Sequence, residues 1–172
     1  MTDRPAAVIS DACVLIDYIQ VEQTKVLRLV SDHLFPIKLP RPILNEVDDL
    51  TEDQAEALGM ELIEATFSQL QEAAARGGGL SKADKLCFAI ARDNGWGIWT
   101  SDKPLHTKCT DAGIPSYWGL EIMLDLCAAG KLDPTIAIET AQKISDVNER
   151  ITPTVLEKFK NRIKQQTGKG QK

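Results

Sequence analysis

The sequence predicts an α/β fold in which helices cover both faces of a central parallel sheet. Three observations favour this fold. Short apolar runs alternate along the chain with segments whose apolar residues recur at helical spacing. Gly, Pro and helix-capping residues separate these segments. The sequence also contains no internal repeat and no linker long enough to divide it. Strands that alternate with helices run parallel, because each helix returns the chain to the same end of the sheet.

Three short strands are predicted in the first part of the chain. Residues 6–10 form an apolar run, and residues 35–39 carry apolar side chains at alternate positions. Residues 60–65 alternate apolar residues with acids, which is typical of an edge strand.

Helices are expected between these strands. Apolar residues at helical spacing follow Asp11 and recur at Val26 and Val30. Another helix is expected to begin at Pro42, whose missing N–H suits a first helical turn, and to include Glu46.

The second half of the chain continues the alternation. Ser81 is expected to cap a strongly periodic helix that ends at Gly95. Strands are predicted at residues 97–100 and 114–117, with a helix between them at residues 103–112. Another helix follows the last strand, and two more begin where a capping residue precedes a proline, at Asp133-Pro134 and Thr152-Pro153.

The chain is expected to form one domain with a helical extension. A length of 172 residues fits a single hydrophobic core. We assign residues 1–130 to the α/β domain and residues 131–164 to a C-terminal helical extension of the same domain. Residues 165–172 contain no apolar side chain, so we expect a disordered basic tail there.

Composition and charge exclude several classes of protein. The formal charge of −5 argues against a general nucleic-acid coat protein, although residues 158–172 carry six basic residues and no acid. No apolar stretch is long enough to cross a membrane, and the first residues lack the pattern of a secretory signal. We therefore expect a cytoplasmic protein.

The cysteines and histidines do not predict a zinc site. The four cysteines form no Cys-x-x-Cys pair, and only two histidines occur. Each cysteine falls in an apolar stretch, which predicts buried free thiols.

Two aspartates follow predicted strands. Asp11 comes directly after the first strand, and Asp102 follows the strand at residues 97–100. Ligands bind beyond the carboxyl ends of the strands in open parallel sheets, so a site is expected at this edge. Thr100 and Ser101 add hydroxyls there, suited to orienting a water or a phosphate. The alternative for each aspartate is that it only caps the following helix.

Two further acids border apolar helix faces. Glu46 lies three residues after Ile43 and therefore beside the apolar stripe of the Pro42 helix. Asp84 lies three residues before Cys87, at the edge of a buried face. The alternatives are an exposed salt bridge for Glu46 and a capping-box role for Asp84, three residues after the capping serine.

Together, Asp11, Glu46, Asp84 and Asp102 indicate a cation site. Two carboxylates about 4 Å apart repel each other by about 4 kcal/mol at an effective dielectric constant near 20. If the four converge, the cluster must hold protons or bind cations. Oxygen ligands without histidine or cysteine favour Mg²⁺ or Mn²⁺.

The four acids and their surroundings resemble the PIN-domain ribonucleases, especially the toxins of VapC-type toxin–antitoxin pairs. The matching segments are residues 8–17, 42–47, 78–84, 99–105 and 113–115, within a likeness over roughly residues 6–130. The spacing from Asp84 to Asp102 is typical of the family and is the most specific part. Ala12 and Cys13 depart from the pattern, because many members carry a hydroxyl residue and then a small polar residue there.

The resemblance implies a three-layer α/β/α, Rossmann-like PIN domain that hydrolyses RNA phosphodiester bonds with one or two Mg²⁺ or Mn²⁺ ions. It implies that Asp11 and Asp102 bind the metal directly, and that Glu46 and Asp84 complete the ligand set. It also implies a homodimer and a cognate antitoxin as partner, whereas the lack of a long apolar stretch predicts no membrane association. Four lysines near the acidic motifs are expected to steer the RNA backbone: Lys82, Lys85, Lys103 and Lys108.

Other classes of protein fit less well. A haloacid-dehalogenase-type phosphatase needs a second aspartate where Cys13 stands, and a receiver domain needs adjacent acids near the first strand end. Two alternatives to a toxin nuclease stay open. One is a catalytically weak PIN-like module that binds RNA or a protein partner, and the other is a housekeeping RNA-processing nuclease.

Overall fold

The computed structural model describes residues 4–170, and its centre is a five-stranded sheet. The strands lie in the order β3-β2-β1-β4-β5, and every neighbouring pair is parallel. Their bounds are Val8–Ser10 (β1), Ile37–Pro40 (β2), Met60–Ile63 (β3), Gly97–Thr100 (β4) and Ser116–Trp118 (β5). The predicted parallel sheet and the edge position of β3 are confirmed, and β5 lies nearer the C-terminus than predicted, at residues 116–118 instead of 114–117.

Ten helices surround the sheet within the described residues. Their bounds are Ala12–Gln20 (α1), Thr24–His33 (α2), Arg41–Leu44 (α3), Glu52–Ala57 (α4), Phe67–Ala74 (α5), Lys82–Asn94 (α6), Lys103–Asp111 (α7), Ile122–Ala128 (α8), Pro134–Val147 (α9) and Pro153–Lys169 (α10). Helices α1, α2, α8, α9 and α10 pack against one another, whereas α6 packs against α5 and α7. The central strands β1 and β4 are fully buried, as expected when helices cover both faces of a parallel sheet.

Side-chain caps fix where several helices begin. Asp11, Ser81, Asp102 and Thr152 each accept a hydrogen bond from the backbone N–H three residues ahead. Asp133 accepts one from the N–H of Thr135. The caps at the ends of β1 and β4 matter most, because they place Asp11 and Asp102 at the carboxyl edge of the two central strands.

The predicted helix after Pro42 is wrong in its length. Helix α3 ends at Leu44, and Glu46 follows it in a turn. The backbone N–H of Glu46 donates to the carbonyl of Ile43, and that of Val47 donates to Leu44, so the chain tightens into three-residue turns. Val47 and Leu50 are still buried, which explains why their spacing resembles that of a helix.

Disorder was predicted from residue 165, but α10 continues through Lys169. Ile163 is buried, and adding residues to a helix that already exists needs no new nucleation. The Thr167 hydroxyl donates to the carbonyls of Ile163 and Lys164 in this last part. Residues 171 and 172 of the expected tail lie outside the described residues.

The prediction of buried thiols holds for Cys87 and Cys109, whereas Cys13 is exposed and Cys127 is half-buried. Cys13 lies in the first turn of α1, between buried neighbours that face the core. Among residues 4–170, no helix combines the length and the apolar content needed to cross a membrane.

Candidate active site

The strand order brings two of the predicted site residues together. Strands β1 and β4 are neighbours, with Ser10 paired to Trp99. The Asp11 backbone N–H extends this ladder by donating to the carbonyl of Trp99 at 3.1 Å. Asp11 and Thr100 therefore lie side by side where the two central strands end.

Asp11 is a buried carboxylate, only 4% exposed. Its Oδ1 accepts the Val14 backbone N–H at 2.9 Å, and its Oδ2 accepts the hydroxyl of Thr100. Burial raises the pKa of Asp11 from 3.8 to about 7, against the lowering effect of these two hydrogen bonds. The charges of Asp84 and Asp102 raise it further. Asp11 therefore caps α1, and its ionised form is disfavoured by burial and by the charges of nearby acids.

Thr100 connects Asp11 to Asp102. Its hydroxyl donates to Asp11 and accepts the backbone N–H of Asp102 at 3.0 Å. The side chain is fully buried, so both contacts are shielded from water. One hydroxyl therefore fixes the positions of the two acids relative to each other.

The two carboxylate oxygens of Asp102 have different partners. Its Oδ2 caps α7 by accepting the Leu105 backbone N–H at 3.0 Å. Its Oδ1 lies 3.8 Å from Nη1 of Arg150, which belongs to the loop between α9 and α10. The Asp102 side chain is 21% exposed, so this oxygen lies at the surface of the site.

Asp84 and Glu46 complete an electrostatically coupled group. Burial raises the pKa of Asp84, the Ser81 hydroxyl lowers it, and the charge of Asp102 raises it again. Burial and the charge of Asp84 raise the pKa of Glu46, which is itself exposed. Asp84 therefore interacts with all three other acids, and Glu46 lies at the outer margin of the group.

The donor chemistry of this group fits a hard divalent cation, because all four side chains offer carboxylate oxygens. Across residues 4–170, however, no three His, Cys, Asp or Glu side chains are grouped closely enough to hold an ion as they stand. Burial is the main cause of the raised pKa of Asp11 and of Asp84, and the charges of neighbouring acids add to it.

The other predicted residues lie around this edge. Ser101 lines a cavity next to Asp102. Lys85 donates to the carbonyl of Ala75 at 2.6 Å, and the Lys108 ammonium lies 4.6 Å from the centre of the Phe88 ring. These two lysines therefore have structural contacts. A steering role for them and for Lys82 and Lys103 stays a prediction.

Sequence reasoning missed a second group of residues that come from far along the chain. Arg150 supplies a cation beside Asp102, and its charge also lowers the pKa of Asp84. Asn148 holds the same loop by donating to both oxygens of Asp17 in α1. An Asn-x-Arg sequence in a loop carries no local signal, since its meaning depends on a contact across 131 residues.

Comparisons with known proteins support the fold. No family model matches the chain, and no curated protein matches it. Among solved structures, it is similar to a PilT N-terminus domain protein from the hyperthermophilic archaeon Sulfolobus solfataricus, with a TM-score of 0.53 and 10% sequence identity. The similarity covers 69% of this chain and 92% of that one. This likeness bears out the expected PIN-like α/β fold.

Proposed function

We propose that this chain is a Mg²⁺- or Mn²⁺-dependent endoribonuclease that hydrolyses RNA phosphodiester bonds in the cytoplasm, as the toxin of a toxin–antitoxin pair. The observation that carries the proposal is the pairing of Asp11 and Asp102 at the ends of adjacent central strands through the Thr100 hydroxyl. Asp84 and Glu46 extend the same coupled group. The PIN-like fold and the motif resemblance supply the reaction class and the RNA substrate.

In this proposal each side chain has a distinct role. Asp11 and Asp102 would hold the ion directly, and Asp84 and Glu46 would complete the ligand set. When bound, such an ion lowers the pKa of a water and stabilises negative charge on a phosphate. Thr100 keeps the Asp11 carboxylate in place through its hydroxyl. At neutral pH the buried Asp11 carboxyl can keep its proton or ionise beside a counter-charge, and a bound cation would stabilise the ionised form.

The test is cleavage of a panel of single-stranded and structured RNAs by the purified chain. We expect cleavage with Mg²⁺ or Mn²⁺, none with a chelator, and a loss of at least about a hundredfold in Asp102→Asn. Asp111→Asn is the matched control, because Asp111 is exposed at the end of α7 and the change removes the same charge. Equal activity in the two variants would contradict the proposal.

The toxin role has its own test. Induced expression of the chain should arrest growth, and Asp102→Asn should not. Co-expression of the protein encoded beside it, expected to be a DNA-binding antitoxin, should restore growth. A homodimer stays a prediction, and light scattering of the purified chain checks it.

A specific observation favours a second candidate, an RNA- or partner-binding module without strong catalysis. The Arg150 guanidinium lies 3.8 Å from Asp102 and gives that carboxylate a positive counter-charge without a metal ion. In that case RNA binds but metal-dependent cleavage is absent.

If Arg150 competes with a metal ion, Arg150→Ala lowers the Mn²⁺ concentration needed for half-maximal thermal stabilisation. Lys131→Ala, which removes an exposed charge elsewhere, leaves that concentration unchanged.

A further inference from the structure

A cavity of about 230 Å³ adjoins the acidic group on the side of the helical extension. Its walls come from the loop after β4, the segment from β5 into α8, and helix α10 with the loop before it. Ligand pockets for drug-sized molecules start at about 300 Å³, so this cavity suits a smaller group such as one nucleobase.

The inner lining is mostly apolar and includes two aromatic side chains, Trp118 and Phe159. Trp118 stacks on the imidazole of His106, with ring centres 3.8 Å apart and planes 6° apart. This stacking fixes the indole, and Trp118 remains only half-buried. A fixed, accessible aromatic ring is what a nucleobase stacks on in proteins that bind single strands.

Positive charge surrounds this apolar lining. Arg150, Lys158 and Arg162 are all lining residues, and the single acid of the lining, Glu121, is ion-paired with Arg162. The formal charge of the chain as a whole is −5, so this is a local reversal of sign. Cations around an aromatic pocket complement a nucleotide, which combines a flat apolar base with an anionic phosphate.

The cavity lies beside the acidic group, and two of its lining residues are neighbours of Asp102. Ser101 lines it and directly precedes Asp102 in sequence. Arg150 also lines it and lies 3.8 Å from Asp102. A nucleic-acid strand with one phosphate near Asp102 would therefore place its adjacent nucleotide close to this cavity.

We propose that this cavity binds the base of a single-stranded RNA nucleotide next to the phosphate at the acidic group, with Lys158 and Arg162 contacting the flanking phosphates. The choice of RNA rests on the proposed function, whereas the cavity, its charges and its position do not. The helical extension then has a definite role, because α10 supplies the phosphate-binding side of the site.

The first experiment measures binding of a labelled RNA oligonucleotide to the full chain by fluorescence anisotropy, with a chelator present so that no cleavage occurs. Lys158→Glu should weaken binding by about tenfold and reduce the dependence of log affinity on log salt by about one phosphate contact. Lys164→Glu is the matched control, because it makes the same charge change at an exposed site of the same helix outside the cavity. Its effect should stay below about twofold.

A second variant tests the apolar part of the cavity. Val155 lines the cavity and is 42% exposed, so Val155→Glu places a carboxylate there with little effect on the core. Ile136→Glu, at 41% exposure on α9, is its control. We expect Val155→Glu alone to weaken RNA binding by several-fold.

The last measurement follows Trp118 directly. The chain has three tryptophans, so Trp118→Phe assigns its indole N–H signal by NMR. Adding a nucleoside monophosphate should shift that signal, whereas ribose 5-phosphate and inorganic phosphate should not. The deoxy analogue shows whether the site distinguishes RNA from DNA. If both nucleotides shift the signal equally, the cavity binds single strands of either type, and the restriction to RNA is wrong.

The outcomes separate this inference from the proposed function. Cleavage that depends on Asp102, with the same KM and affinity in Lys158→Glu and Lys164→Glu, overturns the cavity assignment and leaves the nuclease. Cavity-dependent RNA binding without any cleavage overturns the nuclease and leaves the cavity assignment. A Trp118 signal that only a protein partner shifts overturns the assignment in favour of a protein-docking site.

Discussion

Asn148 donates its side-chain amide to both carboxylate oxygens of Asp17, at 2.9 and 3.1 Å. Burial raises the pKa of Asp17 to about 6, while the Asn148 hydrogen bond and the charge of Arg150 lower it. The contact fixes the loop between α9 and α10 against α1. Because Arg150 follows Asn148 by two residues, the same contact determines where that guanidinium lies relative to Asp102.

Asn148→Asp should destabilise the protein in a pH-dependent manner. It places a second carboxyl against Asp17, whose folded-state pKa already exceeds the unfolded value of 3.8. Below that unfolded value both carboxyls are neutral and the effect is small. Stability falls as the pH rises through about 6, and the loss at pH 8 should be on the order of 2 kcal/mol.

Urea unfolding at pH 4 and pH 8 measures this difference. Asn161→Asp is the control, since it makes the same change at an exposed position of α10. A loss at pH 8 that is no larger than in the control would mean that the contact with Asp17 does not form in solution.

Asp11→Asn should stabilise the metal-free protein at alkaline pH. The pKa of Asp11 is about 7 in the folded state and 3.8 in the unfolded reference state. The folded state therefore keeps this proton up to a higher pH than the unfolded state does. Wild-type stability therefore falls as the pH rises from about 4 to 7, by at most about 4 kcal/mol. Asparagine keeps the helix cap and removes the buried charge.

Thermal unfolding across this pH range, with and without Mn²⁺, tests the prediction. The melting temperatures of the two proteins should converge near pH 4. At pH 8 without metal the variant should be the more stable. Mn²⁺ should raise the melting temperature of the wild type more than that of Asp11→Asn, because a ligand stabilises only the form that binds it. An equal response would remove Asp11 from the ligand set.

Thr100→Val should destabilise the protein by about 1–3 kcal/mol, because it removes the partner of the Asp102 backbone N–H and of Oδ2 of Asp11, although Val14 still donates to Oδ1. It should also move the pH-dependent loss of stability upward, since the Thr100 hydrogen bond lowers the pKa of Asp11. Thr100→Ser keeps the hydroxyl and should retain the wild-type pH dependence. If serine and valine give the same profile, the hydroxyl does not couple the two acids.

Gly119→Ala should destabilise the protein modestly, because it forces the Ser101 side chain into another rotamer, and a second substitution should relieve the effect. A Cβ at Gly119 would overlap the Ser101 hydroxyl oxygen, although it would lie 3.6 Å from Ser101 Cβ. The Gly119 carbonyl also accepts hydrogen bonds from Tyr18 and Trp99, so the backbone has little freedom to retreat. Adding Ser101→Ala removes the overlapping atom and should restore most of the stability, as measured by urea unfolding. No recovery in the double variant would place the conflict elsewhere.

The central parts of the fold could be predicted because local and global signals agree there. Apolar runs at β1 and β4 coincide with full burial, and the caps at Ser81, Asp133 and Thr152 are encoded within a few residues. The length of α3 could not be predicted, because Val47 and Leu50 are buried by turns that reproduce helical spacing. Periodicity reports which side chains are buried, and several backbone paths satisfy it.

Two of the four acids could be placed from position alone. Asp11 and Asp102 follow strands, and parallel strands share one carboxyl edge, so their proximity follows from the fold class. Both also cap helices, so the structural and functional alternatives are compatible. The cavity beside the acids could not be predicted, because its residues Arg150 and Trp118 come together only through contacts between distant segments.

The sequence separation of Asp17 and Asn148 also predicts an order of events during folding. It closes a loop of 131 residues, and closing so long a loop becomes favourable only after the sheet has brought its ends together. The α9–α10 loop should therefore be the last part to dock and the first to open, with faster hydrogen exchange than β1 and β4. Such a local opening would release Arg150 from Asp102 while the sheet stays intact, so the acidic edge becomes accessible without global unfolding.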